Sequence, residues 1–378
     1  MTAPLGQNKP IVVPVALGAR AYDIVIGRGL LASLGERIKN LRPDARVAIV
    51  TDETVAAHHL AAAEAALKAA GIDSAPILVP AGEGSKNYAT FEKVCEAIIA
   101  ARVERNDLVV ALGGGVIGDL AGFAAACARR GLDFVQVPTT LLAQVDSSIG
   151  GKTGINFRTI KNLVGAFHQP RLVLTDIDTL TTLPAREYCS GLYEALKYGI
   201  ICDRDLFDWF GVELKRILDR SPEHMERLVA RCAAIKADVV TRDEKEGDLR
   251  RVLNLGHTVG HGLEAAAGFR KLKHGEAVGY GMIAAVRISK AMGRMSSTDV
   301  EQAESTIRAI GALPQLADLK VKSVMEAMQH DKKVRDGAVH FVLPVAIGRV
   351  EITRQVPLEL VQETVKTLID ENKTRRTR

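Results

Sequence analysis

Cysteine is sparse in this chain. Its five residues, Cys95, Cys127, Cys189, Cys202 and Cys232, are odd in number, and no two form a C-x-x-C pair. That spacing argues against a disulfide framework or a cysteine zinc site and fits a reducing, cytoplasmic compartment. Met1 to Gly18 has no basic stretch leading into an apolar one, so no secretory signal is read. Long uncharged apolar runs are missing too, which leaves nothing to span a bilayer. There is no internal repeat and no strong excess of one charge. A formal net charge of +5 and a pI near 8.9 are a mild imbalance. Part of it sits in Lys373-Thr374-Arg375-Arg376-Thr377-Arg378, expected to be a solvated, frayed tail. Elsewhere basic residues alternate with acidic ones. Neither nucleic acid nor a membrane is therefore expected as a partner, and a small anionic ligand is.

What is present is an ordinary soluble-enzyme composition, 47% hydrophobic and 25% charged, over 378 residues. That length suits two packed domains better than one small core. The first half alternates short apolar runs with alanine-rich helical stretches. Arg46–Val50, Ala75–Pro80, Leu108–Leu112, Phe134–Val137 and Leu172–Thr175 read as buried strands, and 55–70, 88–101 and 120–129 as helices. Such alternation predicts an α/β, Rossmann-like domain with a mostly parallel sheet. Strand pairing order is not readable. From Leu183 long helical periodicity takes over: Pro184 suits a helix start, and Ser221-Pro222 an N-cap followed by proline at the first helical position. The boundary is placed near Thr182, giving a nucleotide-binding domain over 1–182 and a mainly α-helical domain over 183–378. The run from Val339 to Thr353 could form a small hairpin.

Gly113-Gly114-Gly115-Val116-Ile117-Gly118-Asp119 follows a strand and opens a helix, satisfying G-x-G-x-x-G through Gly113, Gly115 and Gly118. Glycines there let the backbone approach a pyrophosphate, which the free N–H groups of the helix start then face. A tight turn needing positive φ is the alternative. In an ordinary Rossmann unit the acidic ribose ligand lies about twenty residues after the glycines. Asp133 sits there but reads as loop, and Asp52, at the end of an earlier strand, is the better candidate. The nucleotide is expected outside the standard Rossmann order.

His257 and His261 lie four apart and so share one helix face, and His274 follows in Lys273-His274-Gly275-Glu276. The zincin motif is excluded because Thr258 stands where its glutamate would. A single helical histidine is more often merely hydrogen-bonded. Three in so short a stretch, beside Asn254 and Gly256, suit a catalytic divalent metal completed by one carboxylate. Spacing does not choose that carboxylate. Glu194 is attractive among Tyr193 and Lys197, while Glu264 and Glu276 could equally be surface residues.

Several blocks closely resemble the 3-dehydroquinate synthase family. They are Phe134–Thr153, Lys161–Pro170, Gly191–Lys197, Leu253–His261 and Lys273–Val278, in family order between about residues 20 and 345. The resemblance implies conversion of 3-deoxy-D-arabino-heptulosonate 7-phosphate to 3-dehydroquinate and phosphate. The route is transient oxidation by NAD, phosphate elimination, re-reduction and intramolecular aldol closure, a lyase step of the shikimate pathway to chorismate and the aromatic amino acids. It implies Glu194, His257 and His274 as ligands of a divalent metal, zinc before cobalt. It implies NAD contacts at Asp52, at Ala81, Gly82, Glu83, Gly84, Ser85 and Lys86, at Gly114, Gly115, Val116, Ile117, Gly118 and Asp119, at Thr139 and Thr140, and at Thr179, Leu180, Thr181 and Thr182. Lys152 and Lys161 are cofactor-side positions close to substrate. Lys152, Asn162, Asp146, Lys197, Lys236, Arg250, Asn254 and His261 form the implied catalytic and substrate set. Arg130 matches a residue that reaches into a neighbouring subunit, implying a homodimer. Phe157-Arg158-Thr159-Ile160 departs from the family's usual His-Pro-containing turn, which bears on loop shape. Either Lys332 or Lys333 joins the phosphate site. The rival expectations are a sister sugar-phosphate cyclase making a valiolone or deoxy-inosose, and a metal-dependent polyol dehydrogenase.

Overall fold

The computed structural model describes residues 9–158, 160–330 and 340–374. Thr159, Lys332, Lys333 and the last four residues of the basic tail lie outside the described residues. The chain forms two compact units, Met1–Pro184 with Arg220–Lys245, and Ala185–Asp219 with Glu246–Arg378. The first crossing falls two residues past the expected boundary, and the stretch from Arg220 to Lys245 belongs with the first unit.

The first unit is built on strands β1 (Ile11–Val15), β2 (Tyr22–Gly27), β3 (Val47–Asp52), β4 (Ser74–Val79), β5 (Leu108–Gly113), β6 (Asp133–Pro138), β7 (Lys152–Phe157), β8 (Ile160–Phe167) and β9 (Leu172–Asp176). Its helices are α1 (Leu34–Leu41), α2 (Glu53–Val55), which runs through a π-turn at Ala56–Leu60 into α3 (Ala61–Ala69), α4 (Tyr88–Ala100) and α5 (Gly115–Cys127). Seven strands form one sheet in the order β1-β2-β9-β6-β5-β3-β4, parallel throughout except that β1 runs antiparallel to β2. Pro14 is tolerated in β1 because that strand is the sheet edge.

β5 is buried at every residue and β3 at all but its last, as strands covered on both faces must be. Alternation along β3 sends Ala48 and Val50 to one face, against Val94 and Ile98 of α4 and Leu120 and Ala124 of α5. Val47 and Ile49 go to the other, against Leu34 and Ile38 of α1 and Leu67 of α3. The chain lays β4 on one side of β3 and returns β5 to the other. The order therefore reverses between β3 and β5, and a crevice at their carboxyl ends is where open α/β sheets take ligands. β7 and β8 pair as a separate antiparallel hairpin that packs on α5.

The second unit begins with α6 (Ala185–Cys202), starting directly after Pro184, then α7 (Arg204–Val212) and α8 (Leu214–Leu218). α9 (Pro222–Arg242) lies in the first unit. It starts at the expected proline, but Ser221 Oγ meets His224 Nδ1 at 2.9 Å and makes no side-chain cap. The second unit resumes with α10 (His257–Ala266), α11 (His274–Ala291), α12 (Ser297–Ala309) and α13 (Val321–His330). The late hairpin of β10 (Phe341–Ala346) and β11 (Arg349–Thr353) and the closing α14 (Leu358–Thr374) complete it. α11 is its axis, buried almost continuously from Gly275 to Ser289 and packed on α6, α10, α12, α14 and β10. Among the described residues no helix is long and apolar enough to cross a membrane, and all five cysteines are unbridged.

Candidate active site

In the first unit the expected nucleotide residues collect at the carboxyl ends of the parallel strands. Asp52 ends β3, and its Oδ1 accepts from the N–H groups of Thr54 at 2.9 Å and Val55 at 3.0 Å, capping α2. Gly113 ends β5, Gly114 occupies the cap of α5, and Gly115, Val116, Ile117, Gly118 and Asp119 form its first turn. The order reversal between β3 and β5 explains why the candidate ribose carboxylate precedes the glycines in the chain. Asp133 is committed elsewhere: its carboxylate holds Arg42 at 2.6 Å and Arg171 at 2.8 Å.

The Ala81–Lys86 loop turns at Gly82, whose φ is 98°. Lys86 is buried, and its ammonium pairs with Asp119 and Asn162. Burial pushes the Asp119 carboxyl up, while Lys86 pulls it down. Asn156, which the sequence does not single out, ties this loop to the β7–β8 hairpin. Its Nδ2 donates to Glu83 at 2.8 Å, its N–H donates to the Lys86 carbonyl at 2.8 Å, and its Oδ1 accepts from the Asn162 N–H at 2.9 Å.

Gln144 is a second residue without a sequence signal. It is fully buried, and its Nε2 donates to the Pro138 and Asp176 carbonyls and to Thr179 Oγ1, at 3.1–3.2 Å. It thereby clamps the ends of β6 and β9, bringing Thr139 and Thr140 to Thr179, Leu180, Thr181 and Thr182. Thr139 Oγ1 is buried with no hydrogen-bond partner among the described residues, a donor and acceptor that a bound ligand would satisfy. Lys236, buried on α9, pairs with the Asp146 carboxylate and donates to its carbonyl at 2.7 Å. Lys152 is exposed at the start of β7 and Lys161 is half-buried on β8.

In the second unit Glu194 of α6, His257 of α10 and His274 of α11 present ligand atoms that all lie within 4.8 Å of one another. Two close approaches place them. Gly256 has φ of 80°, and a Cβ there would meet the Val278 carbonyl at 2.8 Å, so glycine lets α10 start against α11. A Cβ on Gly275 would lie 1.8 Å from the Ser190 carbonyl oxygen, so glycine lets α11 start against α6. Glu194 is 1% exposed, and neither of its oxygens has a hydrogen bond of good geometry among the described residues. The Lys197 ammonium, equally buried, lies 2.5 Å from Oε2. Oε1 faces Nε2 of His274 at 3.3 Å and Nε2 of His257 at 3.7 Å. Each ring's Nδ1 is directed elsewhere, His257 to the Leu255 carbonyl at 3.1 Å and His274 to Glu264 Oε2 at 3.2 Å.

One carboxylate and two inward Nε2 atoms fit a divalent ion of zinc or cobalt type. His261, Glu264 and His274 also lie within ligand reach of one another. Glu264 and His274 Nδ1 already bind each other there, whereas Glu194 Oε1 faces two Nε2 atoms without a hydrogen bond and marks the better set. Of the carboxylates left open by spacing, neither alternative is a surface residue. Glu264 is buried against His274, and buried Glu276 pairs with Arg186 at 2.6 Å and caps α11 through the Lys273 N–H. Arg250 is buried in the turn before α10, and Asn254 Nδ2 donates to Glu246 Oε1 at 3.3 Å. His261 stands one helical turn from His257, ring centroids 5.2 Å apart.

The two inward histidines are poised oppositely. Burial, then Lys197 and the neighbouring histidines, push His257 well below the ordinary histidine range. Burial also opposes the His274 imidazolium, but the facing carboxylates of Glu194 and Glu264 outweigh it and lift His274 to about 10. A metal needs the neutral ring. Below the raised value the metal-free fold holds the proton, so acid competes with metal. Loading the site between about pH 7 and 9 is expected to expel about one proton, with apparent affinity falling about tenfold per unit of acidification. Zinc titration calorimetry in buffers of different ionisation enthalpy counts the proton; a count of zero contradicts this account of His274.

Residues 76–190 match the family model described as 3-dehydroquinate synthase N-terminal, and residues 191–334 the one described as 3-dehydroquinate synthase C-terminal. A 3-dehydroquinate synthase of Nitrobacter winogradskyi is 52% identical over 375 residues, covering 96% of this chain and 97% of that protein. Among solved structures, 2-epi-5-epi-valiolone synthase from Streptomyces hygroscopicus subsp. jinggangensis 5008, with NAD+ and Zn2+ bound, superposes with a TM-score of 0.86 at 28% identity, covering 98% of this chain and 99% of that one. A 2-deoxy-scyllo-inosose synthase complexed with carbaglucose-6-phosphate, NAD+ and Co2+ also gives 0.86, at 27% identity, covering 94% of this chain and 100% of that one. The sister cyclases thus share the architecture at roughly half the identity of the synthase relative, and with both halves matched in order the chain belongs to the 3-dehydroquinate synthase family.

Proposed function

We propose that the protein converts 3-deoxy-D-arabino-heptulosonate 7-phosphate to 3-dehydroquinate and phosphate, in the shikimate route to chorismate and the aromatic amino acids. The observation that carries this reading is buried Glu194, whose Oε1 faces two histidine Nε2 atoms without a hydrogen bond among the described residues, in a chain 52% identical to a 3-dehydroquinate synthase. When bound, NAD supplies reversible hydride exchange at one substrate alcohol, and a divalent ion supplies Lewis acidity beside it.

The chain's own groups do the rest. Glu194, His257 and His274 hold the ion. Asp52, the Ala81–Lys86 loop, the turn from Gly114 to Asp119, Thr139, Thr140 and Thr179 to Thr182 hold the dinucleotide, with Lys152 and Lys161 on its substrate side. Phosphate and carboxylate are bound by the cations Arg130, Lys152, Lys197, Lys236 and Arg250 and the polar donors Asn162 and Asn254, with Asp146 fixing the Lys236 ammonium. His261 takes and returns the alcohol proton, a task an imidazole performs as general base and acid. The departing phosphate accepts the acidified carbon-bound proton, so no dedicated base is required.

A cytoplasmic homodimer is part of this reading. Exposed Arg130 is held at φ of 65°, next to Arg129 at 53°, a paired left-handed turn that non-glycine residues adopt at a cost of roughly 1–3 kcal/mol each and that clusters at functional sites. Exposed Ile160, Leu163 and Phe167 on β8 add an apolar edge suited to a second copy. The test is phosphate release from the heptulosonate phosphate with catalytic NAD and zinc, while NADH absorbance is followed. Stoichiometric phosphate with no NADH build-up is expected. NADH rising in step with substrate loss would mean a net dehydrogenase.

A further inference from the structure

The face of α10 that carries His257 and His261 continues one turn further to Glu264. Its carboxylate is 2% exposed, and Oε2 stands 3.2 Å from Nδ1 of His274. Nε2 on the opposite side of that ring is 3.3 Å from Glu194 Oε1. His274 is the first residue of α11, with no preceding helical turn against which its ring can rest. Nothing in the proposed chemistry requires a second buried carboxylate at this depth unless it acts on the ring it touches.

We propose that Glu264 is a positioning residue for the metal centre. It accepts the Nδ1–H of His274, which fixes the tautomer whose lone pair lies on Nε2 and aims that atom at the space beside Glu194. His257 receives the same service from the neutral Leu255 carbonyl, so the two histidines are braced by groups of different charge. A carboxylate brace raises the basicity of the imidazole it holds and adds a negative charge near a dication, opposing the positive charge of buried Lys197. His274 is then the stronger of the two nitrogen ligands. The inference rests on the reading of Glu194, His257 and His274 as the metal set.

A purely structural role for Glu264 would change the stability of the metal-free protein and leave metal affinity alone. The test therefore separates the two. The full-length protein is stripped of metal, and its zinc and cobalt affinities are measured by competition with a chromophoric chelator, beside Glu264→Gln, which keeps the size and one acceptor oxygen. The variant is expected to bind one ion about 10- to 100-fold more weakly, with a shifted cobalt visible spectrum. Unchanged affinity in the variant beside a normally binding parent overturns this inference alone, whereas a parent that binds no ion overturns the metal reading as well. Should the variant fail to fold, the histidine 15N spectrum of the zinc-loaded parent decides. His274 with its proton on Nδ1 and zinc on Nε2 supports the proposal, and zinc on Nδ1 overturns it.

Discussion

Replacing Glu194 with glutamine is expected to lower kcat/KM by more than about 10^3-fold and to leave the purified protein short of metal. A factor of 10^3 corresponds to about 4 kcal/mol of lost transition-state stabilisation. Glutamine keeps the shape of the side chain but removes the only carboxylate in the best-formed ligand set. It also removes the negative charge of a buried ion pair, the Lys197 ammonium lying 2.5 Å from Glu194 Oε2. Removing one partner of a buried ion pair costs about 3–5 kcal/mol, so the metal-free variant should also unfold at lower urea than the parent. Elemental analysis, denaturant titration and initial rates read the three effects separately. A variant that retains full metal content and turnover would exclude Glu194 as a ligand.

Gly275→Ala should be nearly as damaging, although it adds only one methyl group. That methyl would lie 1.8 Å from the Ser190 carbonyl oxygen, and a backbone atom cannot swing aside as a side chain can. The Gly275 N–H also donates to Ser190 Oγ at 3.0 Å, a bond that separating α11 from α6 would break. Overpacking of this kind costs about 1–3 kcal/mol. Because His274 immediately precedes Gly275, the same shift carries its Nε2 away from Glu194. The expected result is a lower unfolding midpoint together with zinc affinity reduced at least about tenfold. Full stability and affinity in this variant would show that the two helices part without disturbing the ligand set.

The parts of this site that could be read from the sequence are those governed by local rules. The four-residue step from His257 to His261, the glycine turn after an apolar strand and the carboxylate ending β3 each follow from helix or strand geometry. Nothing local distinguishes Glu264, because a glutamate on a helix reads as solvated until the opposing helix is known. Gln144 escapes for the same reason: its role is to hold the end of β6 to Thr179, 35 residues further along the chain. Asn162 and Lys152 lie on a hairpin whose strands carry glycine, lysine and asparagine in place of a clean alternation, and β7 and β8 were not anticipated. The return of α9 to the first unit is a matter of tertiary packing. Helical periodicity predicts α9 itself, with its proline start, but not which core receives it. Strand order, unreadable from the sequence, explains the position of Asp52 ahead of the glycines.

The central claim is that this cyclase scaffold serves a carboxylate-bearing seven-carbon sugar phosphate. The most direct measurement compares phosphate release from 3-deoxy-D-arabino-heptulosonate 7-phosphate with release from a heptulose 7-phosphate that lacks the carboxylate, using one zinc- and NAD-loaded preparation. Rapid stoichiometric phosphate from the first, a carbocyclic product and no accumulating NADH is the predicted result. Phosphate from the second sugar and none from the first would contradict it and place the chain's activity with the sister cyclases.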